Sequence, residues 1–566
     1  MATITVTNLN DNGNGSLRQA IAEAGAGDTI NFAAGLSGGT LTLTSGALGI
    51  ASNVTIDGDI DGNHTPDITI SGGGNSGVFY VSGGTSTLDG LVVTGGQANY
   101  GGGVYLGPGA SLTVKDSTLQ GNTASSFGGG VYVRPGGALT VMDSTLSGNS
   151  TGGYGGGICD AGTLTLVNST VSDNTAFNGA GIRASGGATV SVYDSTLTSN
   201  QATDFGGGIA NYGHLTLVDS LLSGNQADLG GGVYNAGTGT FALVSSTLSG
   251  NHASFGGGID NASNFTLTNA TLSGNDAADA GGGIYSFGNM TLVNSIVAGN
   301  EAGVTGADLR GTPLILSGGN IVGDTFSIDG TTARTGIALS DIFASVVTNP
   351  YTNVASGALA NNGGPVETVA LKVSASNPAI DAGADARAPA TDARGFARSD
   401  FPGAANNGTN ISDLGAYEVS HQIVVTTLDD VTDPSDGLIS LREAIADAKN
   451  SSGTSTITFD PTLAGGTLTL TNGELDIASD VTIEGDIDHN GTPDITISGG
   501  GSSRIFQVDP GSTADFDGLV ITDGSATDGG GLYAHGATVT VTDSTLSRNS
   551  ASMYGGAIWS LASPSH

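Results

Sequence analysis

Cysteine and long apolar runs are almost missing from this sequence of 566 residues. The single cysteine, Cys159, excludes an intrachain disulfide framework and a cysteine-based zinc site. No apolar run approaches the roughly 20 residues that cross a bilayer as a helix. The first residues have neither the basic nor the apolar region of a secretory signal peptide. The sequence therefore leaves three alternatives: export by another route, a fragment of a longer protein, or an intracellular protein.

Positive charge is also scarce, since 14 Lys and Arg residues stand against 51 Asp and Glu residues, giving a net charge of −37. Nucleic acid and anionic membrane surfaces both require clustered basic side chains, so we expect neither as a partner. The acidity suits solubility and divalent cations.

Glycine is abundant, with 97 residues, and it marks an internal repeat of about 25 residues. Each repeat has a glycine block followed by Ile or Val, as in Gly155–Ile158, and an alternating segment such as Leu164–Leu166. Each also ends a short apolar segment on an asparagine, and eight repeats supply Asn122, Asn149, Asn174, Asn200, Asn225, Asn251, Asn275 and Asn300. Three short strands per repeat, with no helical period, predict an all-β right-handed parallel β-helix in which the asparagines form a ladder.

The open end of a β-helix needs a cap, and the sequence provides two candidates. Ser16 begins a capping-box pattern that predicts a short helix, and Ser440 begins a second copy. We therefore predict an N-terminal cap at 1–50, a parallel β-helix at 51–300, degenerate coils with a C-terminal capping or anchor-like module at 301–420, a second cap at 421–480, and the truncated start of a second β-helix at 481–566.

Three sets of motifs resemble known bacterial families. The segments SLRQAIAEA and SLREAIADA resemble the CSLREA domain, with Gly15 and Ile439 in place of its cysteine, so any role of that thiol is absent. The glycine-block and Leu-x-x-Asn repeats resemble those of polymorphic outer-membrane proteins, and Gly555–Ile558 matches their GGA(I/L/V) motif literally. Motifs within 361–418 are similar to a choice-of-anchor module. These resemblances imply a surface or secreted β-helix protein, often called an adhesin.

An enzyme is not expected from the sequence. A uronate lyase needs a cluster of basic groups, whereas Lys115, Arg134 and Arg183 lie in different coils. A hydrolase needs two carboxylates at one special place, whereas the acidic residues recur as a column. The alternative that stays open is a polysaccharide lyase or glycoside hydrolase built on a parallel β-helix.

Two acidic loops are candidate calcium sites, because oxygen ligands occur at alternate positions. The candidate ligands in the first loop are Asp57, Asp59, Asp61, Asn63 and Asp67. Those in the second loop are Glu484, Asp486, Asp488, Asn490 and Asp494. The acidic residue expected at position twelve is missing, so a simple Asp/Asn/Gly turn is the alternative. Calcium is the only cofactor that the sequence suggests.

A stripe of aromatic residues is the second candidate site. The residue after each inward Ile or Val should point outward, and in many coils it is aromatic. The stripe comprises Tyr105, Tyr132, Tyr234, Tyr285, Tyr533 and Trp559. Rings at one-coil intervals could stack on sugars, or they could simply stack on one another and stabilise the sheet.

Taken together, the sequence predicts a non-enzymatic, secreted or cell-surface bacterial protein that serves as an adhesin or structural scaffold. Host or matrix glycans, or surface proteins, are the expected partners. The last coil has an open edge, so end-to-end self-association through it is also expected.

Overall fold

The computed structural model describes residues 2–237, 239–311, 314–323, 325–326, 336–374, 376–396, 398, 401, 411–419, 421–432, 438–449, 455–488 and 490–561. The chain divides into two compact units. Unit 1 comprises Met1–Gly395 and Asp413–Tyr417, and unit 2 comprises Phe396–Ser412 and Glu418–His566. No helix in the described ranges is long and apolar enough to span a bilayer.

Unit 1 is built from coils that each add one strand to three long parallel sheets. Sheet 1 contains Thr3–Val6, Asp28–Phe32, Val54–Asp57, Thr85–Asp89, Ser111–Lys115, Ala138–Met142, Thr163–Val167, Thr189–Tyr193, His214–Val218, Thr240–Val244, Asn264–Thr268, Met290–Val293 and Leu314–Ser317. Sheet 2 contains Thr40–Thr42, Ile68–Ser71, Leu91–Thr94, Thr118–Gln120, Thr145–Ser147, Thr170–Ser172, Thr196–Thr198, Leu221–Ser223, Thr247–Ser249, Thr271–Ser273, Ile296–Val297 and Ile321–Val322. Sheet 3 contains Leu48–Ile50, Phe79–Val81, Val104–Leu106, Val131–Val133, Ile158–Asp160, Ile182–Ala184, Ile209–Asn211, Val233–Asn235, Ile259–Asn261, Ile284–Ser286, Leu309–Gly311 and Thr325–Phe326.

A shorter parallel sheet, sheet 4, lies between sheets 2 and 3 along the chain. It contains Gln97–Tyr100, Thr123–Phe127, Ser150–Thr151, Thr175–Asn178 and Gln201–Phe205, and then His252–Phe255, Asp276–Ala280 and Glu301–Ala302. Bridges through Gln226 join the two groups. The sequence predicted three strands per coil and did not reveal this fourth one.

Alternation of side chains explains how each coil forms a core. Leu112 and Val114 point inward and are buried, whereas Thr113 between them is half-buried on the outside. Each strand pairs in register with its equivalent in the next coil, so Leu112 lies beside Leu139 and Val114 beside Val141. The inward columns merge into one apolar core that runs through unit 1. The predicted parallel β-helix is confirmed.

The predicted asparagine ladder occupies a buried corner after sheet 2. The Oδ1 atom of Asn200 accepts hydrogen bonds from the backbone N and the Nδ2 of Asn174, at 3.1 and 2.9 Å. Asn200 in turn donates in the same way to Oδ1 of Asn225. Each asparagine side chain therefore provides hydrogen-bond partners for the buried polar groups of the neighbouring coil, which explains why asparagine recurs at this position.

Tight corners explain the glycine blocks and part of the acidic column. Gly128 has a φ of +65°, and a Cβ there would lie 2.3 Å from the carbonyl oxygen of Val131. Before sheet 2, a left-handed residue turns the chain, and Asp143 adopts a φ of 50° there. Aspartate and asparagine tolerate that conformation better than most residues. The repeated acids therefore have a conformational role.

The residues after the last coil of unit 1 fold back over the outside of sheet 2. This flanking segment, 336–395 with 413–417, includes helix α2 (Leu339–Ile342), a short 3₁₀ helix (Asp385–Arg387) and the antiparallel pairs Val346–Thr348 with Ala355–Gly357 and Leu359–Ala360 with Thr368–Val369. Asn349 donates to Ser249, and the backbone N of Ala416 donates to the Thr271 hydroxyl. The flanking segment thus covers the outer face of the last coils.

Both units have the predicted helix directly after their first strand. Helix α1 (Leu17–Glu23) is capped by the Ser16 hydroxyl, and helix α3 (Leu441–Ala448) has a complete capping box between Ser440 and Glu443. Arg18 joins α1 to the first coil by contacting Asp11 and the carbonyl oxygens of Gly46 and Ala47. Unit 1 also contains the 3₁₀ helix Ala34–Leu36.

Unit 2 repeats the design with fewer coils. Its first sheet contains His421–Val425, Ser455–Phe459, Val481–Glu484, Thr513–Asp517 and Thr538–Thr542. Its second sheet contains Thr467–Thr469, Ile495–Ser498, Leu519–Thr522 and Thr545–Ser547. Its third sheet contains Leu475–Ile477, Phe506–Val508, Leu532–His535 and Ile558–Leu561. A further two-stranded sheet pairs Ser525–Asp528 with Ser550–Tyr554. A 3₁₀ helix spans Pro461–Leu463, and the unit has its own apolar core.

Candidate functional site

The first acidic loop brings three of its four predicted aspartates together. Carboxylate oxygens of Asp59, Asp61 and Asp67 all lie within 4.8 Å of one another. Asp57, the last residue of its sheet 1 strand, is outside this group, and burial raises the pKa of its carboxyl. The fifth predicted ligand, Asn63, uses its Oδ1 atom to accept a hydrogen bond from the backbone N of Thr65.

Backbone N–H groups already orient the clustered carboxylates of the first loop. Asp67 accepts from the N of Ile60 at 2.8 Å, and Asp59 accepts from the N of Gly62 at 2.8 Å. Hydrogen bonds from the Ser37 hydroxyl and from the backbone N–H groups of Ile60 and Asp61 lower the pKa of Asp67. Each carboxylate oxygen can accept more than one bond, so these turn contacts are compatible with a cation as well.

The second acidic loop repeats this geometry in unit 2. Asp486, Asp488 and Asp494 again have carboxylate oxygens within 4.8 Å of one another. Asp494 accepts from the N of Ile487 at 2.9 Å, as Asp67 does from Ile60. The predicted ligand Glu484 is not in the cluster, and the Oδ1 atom of Asn490 accepts from the N of Thr492. His489 lies outside the described residues.

The predicted aromatic stripe follows the outer side of sheet 3, where its rings stack across coils. The Tyr105 ring lies 4.9 Å from that of Tyr80 and 5.7 Å from that of Tyr132. Tyr234 and Tyr285 are likewise half-buried. In unit 2, the rings of Tyr533 and Trp559 are 4.8 Å apart and nearly parallel.

A second row of rings borders the stripe, and the sequence pattern did not reveal it. Tyr100, Phe127 and Tyr154 occupy equivalent positions at the end of sheet 4, and neighbouring rings are 5.4 to 5.5 Å apart. Phe205 continues this row and lies 4.5 Å from the Tyr234 ring. The one-coil spacing of Tyr100, Phe127 and Tyr154 was the available signal. Tyr100, at the end of this row, is 44% exposed, whereas Phe127 and Tyr154 are half-buried.

The aromatic stripe is interrupted at Arg183, whose guanidinium lies against two tyrosine rings. The guanidinium carbon of Arg183 lies 4.7 Å from the Tyr154 ring centre and 4.6 Å from that of Tyr212. Cys159, which pairs with Arg183 in the preceding coil, is buried, and burial raises the pKa of its thiol to about 12. The thiol is therefore unreactive.

A groove of about 710 Å³ runs along the outside of sheet 4 and crosses five coils. Its exposed or half-exposed side chains come from two outward columns, which include Thr175, Phe177, Gln201, Thr203, Gln226, Asp228, His252 and Ser254. Its floor consists of small residues, among them Ala176, Ala202 and Ala227. The groove exists because alanine alternates with longer polar residues along these strands.

The polar groups of the sheet 4 groove are held by contacts between coils. The Thr175 hydroxyl donates to the Ser150 hydroxyl at 2.9 Å, and the Ser254 hydroxyl donates to Asp228. His252 lies 2.7 Å from a carboxylate oxygen of Asp276. Phe177 is an exposed aromatic residue of the groove, with 42% of its surface accessible. Amides, hydroxyls and one open ring are groups that bind uncharged sugars.

A second cleft, of about 550 Å³, lies where sheets 1 and 2 meet. Here the Lys115 ammonium contacts Asp116 at 2.8 Å and Asp89 at 3.4 Å, and the His64 Nδ1 lies 3.0 Å from Asp116. Although burial opposes it, hydrogen bonds from Lys115 and His64 lower the pKa of Asp116. The first acidic loop supplies His64, so the fold brings together basic groups from distant sequence positions.

The comparisons with known proteins agree with the fold. Residues 54–227 match the family model for a right-handed β-helix region, which supports the right-handed sense predicted from the sequence. Two solved structures similar to this chain are a PL6-family alginate lyase, at 12% identity, and a pectate lyase, at 15%. The match with the alginate lyase covers 96% of this chain and 76% of the lyase chain, with a TM-score of 0.36. The match with the pectate lyase covers 74% of this chain and 96% of the lyase chain, with a TM-score of 0.34.

One expectation from the sequence is corrected by these comparisons. We expected that the chain would not be an enzyme, and this expectation is wrong, because the similar solved structures are alginate and pectate lyases. The scarcity of basic residues in the sequence does not prevent their clustering, since folding places His64 beside Lys115 and Asp116 in one cleft. No curated protein sequence matches the chain.

Proposed function

We propose that this protein is a secreted or cell-surface β-helix that binds extended, uncharged carbohydrate chains in the sheet 4 groove. The observation that supports the proposal is the groove itself, which offers hydrogen-bonding side chains at one-coil intervals across five coils. The repeat of about 4.8 Å suits a polymer that presents the same groups again and again. The net charge of −37 favours neutral over acidic chains.

Binding to a panel of neutral and acidic glycans tests this proposal. The double variant Gln201→Ala/Gln226→Ala removes two exposed amides from the groove, and Phe177→Ala removes its open ring. Both should weaken binding of neutral glycans by about tenfold or more, the first by losing one or two hydrogen bonds and the second by losing ring contact with a sugar face. The control Thr163→Ala/Thr189→Ala changes exposed residues of sheet 1 and should bind as the unmodified protein does. Equal binding by all variants would exclude the groove.

We further propose that Ca²⁺ binds the two acidic loops. Three carboxylates within 4.8 Å recur in both units with matching backbone contacts. A cation would remove the mutual repulsion of these charges and stabilise the folded form. Calcium at millimolar concentration should raise the melting temperature, and Asp67→Asn with Asp494→Asn should abolish the rise. An unchanged melting temperature after chelation would identify the loops as plain turns.

Cleavage of polysaccharides is a second candidate function, favoured by the His64–Lys115–Asp116 cleft. A histidine, an ammonium group and a carboxylate in contact are groups that general acid–base chemistry uses. Incubation with acidic and neutral polysaccharides should then release shorter chains, and Lys115→Met should abolish the release. Absence of products with every polysaccharide, combined with glycan binding, would leave the binding function alone.

A further inference from the structure

Unit 2 has a cavity of about 390 Å³ on the outer side of its third sheet. The sheet 4 groove and the His64–Lys115–Asp116 cleft both lie in unit 1, so this cavity is separate from them. We call it the unit 2 pocket. Its polar lining residues are Arg504, Gln507, Asp509, Asp528, Tyr533 and His535.

Arg504 forms one wall of the unit 2 pocket, and its charge is matched within the protein. Its Nη1 atom donates to the Glu474 carboxylate and to Oε1 of Gln507, and its Nε donates to the carbonyl oxygen of Gly529. The guanidinium carbon also lies 4.6 Å from the centre of the Tyr533 ring. Arg504 therefore fixes the Gln507 amide and the Tyr533 ring in their places.

Two carboxylates lie on the other side of the Gln507 amide. The Gln507 Nε2 atom is 3.3 Å from Oδ1 of Asp476 and 3.5 Å from Oδ1 of Asp509. Neither carboxylate forms an ion pair with a described residue. Parallel pairing aligns Val508 with Ala534, and Asp509 and His535 directly follow this pair. The pocket thus places negative charge beside an amide and an imidazole.

Unit 1 has the same coil without these charged groups. Its strands Leu48–Ile50 and Phe79–Val81 correspond to Leu475–Ile477 and Phe506–Val508 of unit 2. The unit 2 residues Glu474, Asp476, Arg504, Asp509 and His535 have as counterparts Ala47, Gly49, Gly77, Ser82 and Gly107. Because the coil of unit 1 forms with none of the five, the fold does not require them.

Charged contacts that serve the fold behave differently, since they recur in both units. The contact of Arg18 with Asp11 in unit 1 is repeated by Arg442 with Asp430 in unit 2. The charges of the unit 2 pocket occur in one copy alone, which is typical of residues that serve a ligand.

We infer that the unit 2 pocket binds an amino sugar, a sugar ring that carries a protonated amine. The Asp476 and Asp509 carboxylates pair with the ammonium group through charge-assisted hydrogen bonds. The Gln507 amide, the His535 imidazole and the Tyr533 hydroxyl are donors and acceptors for sugar hydroxyls. An acidic ligand is disfavoured, because Glu474 already matches the Arg504 charge. The volume of about 390 Å³ suits a small ligand. The inference concerns unit 2 and does not depend on the glycan groove of unit 1.

Titration calorimetry of the full chain with the disaccharide of glucosamine tests the inference. Physiological salt screens the long-range attraction of any cation to a chain of this net charge. The disaccharide should bind, and Asp476→Asn/Asp509→Asn should weaken its binding by about tenfold or more, the effect of losing one or two charge-assisted hydrogen bonds. Gln507→Tyr should also lose binding, because the ring fills the pocket. Unit 1 has Tyr80 at the equivalent position, so the fold tolerates this change.

The matched control is Asp515→Asn/Asp543→Asn, which removes the same charge from other parts of unit 2. It should bind the disaccharide as the unmodified protein does, and so should the groove variant Gln201→Ala/Gln226→Ala. Circular dichroism should show all variants folded. Equal loss in the control would overturn the inference, because binding would then follow net charge alone. No binding by the unmodified protein, or loss only in the groove variant, would overturn it as well. The same disaccharide with both amines acetylated should bind independently of the pocket variants, and its loss in them would contradict recognition of the amine.

Discussion

Asparagine at the corner after sheet 2 is the residue on which the stacking of coils most directly depends. Asn200 is fully buried, accepts two hydrogen bonds from Asn174, and donates to Oδ1 of Asn225 and to the carbonyl oxygen of Val171. All of its amide hydrogen-bonding groups are thus used within the protein. Because a buried polar group without a partner is costly, each amide in the ladder is necessary to its neighbours.

We predict that Asn200→Ala lowers the free energy of unfolding by about 3 kcal/mol or more. The alanine leaves two donors of Asn174 and one carbonyl oxygen without their partners, each at about 1 kcal/mol or more. Urea unfolding followed by circular dichroism measures the change. The exposed control Thr189→Ala should change stability by less than about 0.5 kcal/mol. Similar values for both variants would show that the ladder contributes little.

Buried Asp260 should make stability depend on pH. It lies in the aromatic stripe beside Tyr234 and Tyr285, and burial raises the pKa of its carboxyl to about 7. This pKa is above the value of 3.8 in an unfolded chain, so the carboxyl is protonated in the folded protein over a wider pH range than in the unfolded chain. The resulting contribution of Asp260 to the free energy of unfolding is full below pH 4 and is lost as pH rises through 7.

We therefore predict that Asp260→Asn raises stability at pH 8 but not at pH 4. The difference should approach about 4 kcal/mol, from about three pKa units at 1.36 kcal/mol each. Melting temperatures between pH 4 and pH 8 measure it, with Thr189→Ala as a control that should keep the pH profile of the unmodified protein. An unchanged profile in Asp260→Asn would assign the pH dependence to other groups.

At the scale of secondary-structure elements, the N-terminal helix is attached to the first coils by one arginine. Arg18 contacts Asp11, and Asp11 also accepts from the backbone N of Thr44 and Ser45. Although burial opposes it, the hydrogen bonds from Arg18 and Thr44 hold the pKa of Asp11 well below its usual value. Arg442 and Asp430 repeat the arrangement in unit 2.

We predict that Arg18→Met loosens the cap without unfolding the later coils. Asp11 would keep its charge without its cationic partner, at a cost of about 3 kcal/mol. Amides of Thr3–Val6 and helix α1 should exchange with solvent much faster, whereas those of Thr163–Val167 should not change. The surface control Arg134→Met removes a guanidinium that donates to the Tyr105 hydroxyl, far from the cap, and should leave the cap protected. Equal protection of the cap in both variants would contradict the role of Arg18.

Much of the element structure followed from the sequence, because local chemistry sets it. The capping boxes at Ser16 and Ser440 predict the helices, and the alternation in Leu164–Leu166 predicts a strand with a buried face. Sheet 4 was missed because its strands, such as Thr175–Asn178, are short and bury small or polar residues, here Ala176 and Asn178, instead of large apolar ones. The His64–Lys115 cleft and the cover on sheet 2 depend on which coils become neighbours, and no local pattern encodes that.

At the scale of the whole molecule, stability should differ along the chain because interior coils have two neighbours. In unit 1, Leu164 and Leu166 are fully buried between adjacent coils. In unit 2, the equivalent Val539 and Val541 of the last described strand of their sheet are only half-buried. A coil whose inward side chains are only half-buried has fewer apolar contacts to keep it closed and should open more often.

We predict that the amides of Thr538–Thr542 exchange with solvent much faster than those of Thr163–Val167. Mass spectrometry of exchanging samples, at a concentration where the protein is monomeric, measures the rates. The last coil also exposes Met553, Tyr554 and Leu561, and we propose that it pairs end to end with a second copy at high concentration. Leu561→Lys should then weaken association in sedimentation experiments. Equal exchange rates in a monomer would show that the last coil is as stable as the interior.

The dependence of affinity on oligosaccharide length tests the proposed function most directly. The sheet 4 groove crosses five coils, which is about 19 Å from the first strand to the last. Titration calorimetry with neutral oligosaccharides of increasing length should show affinity rising until the ligand spans this distance, and then reaching a plateau. The Gln201→Ala/Gln226→Ala variant should lose the rise. Affinity that is independent of length, or a rise that survives in this variant, would contradict binding along the groove.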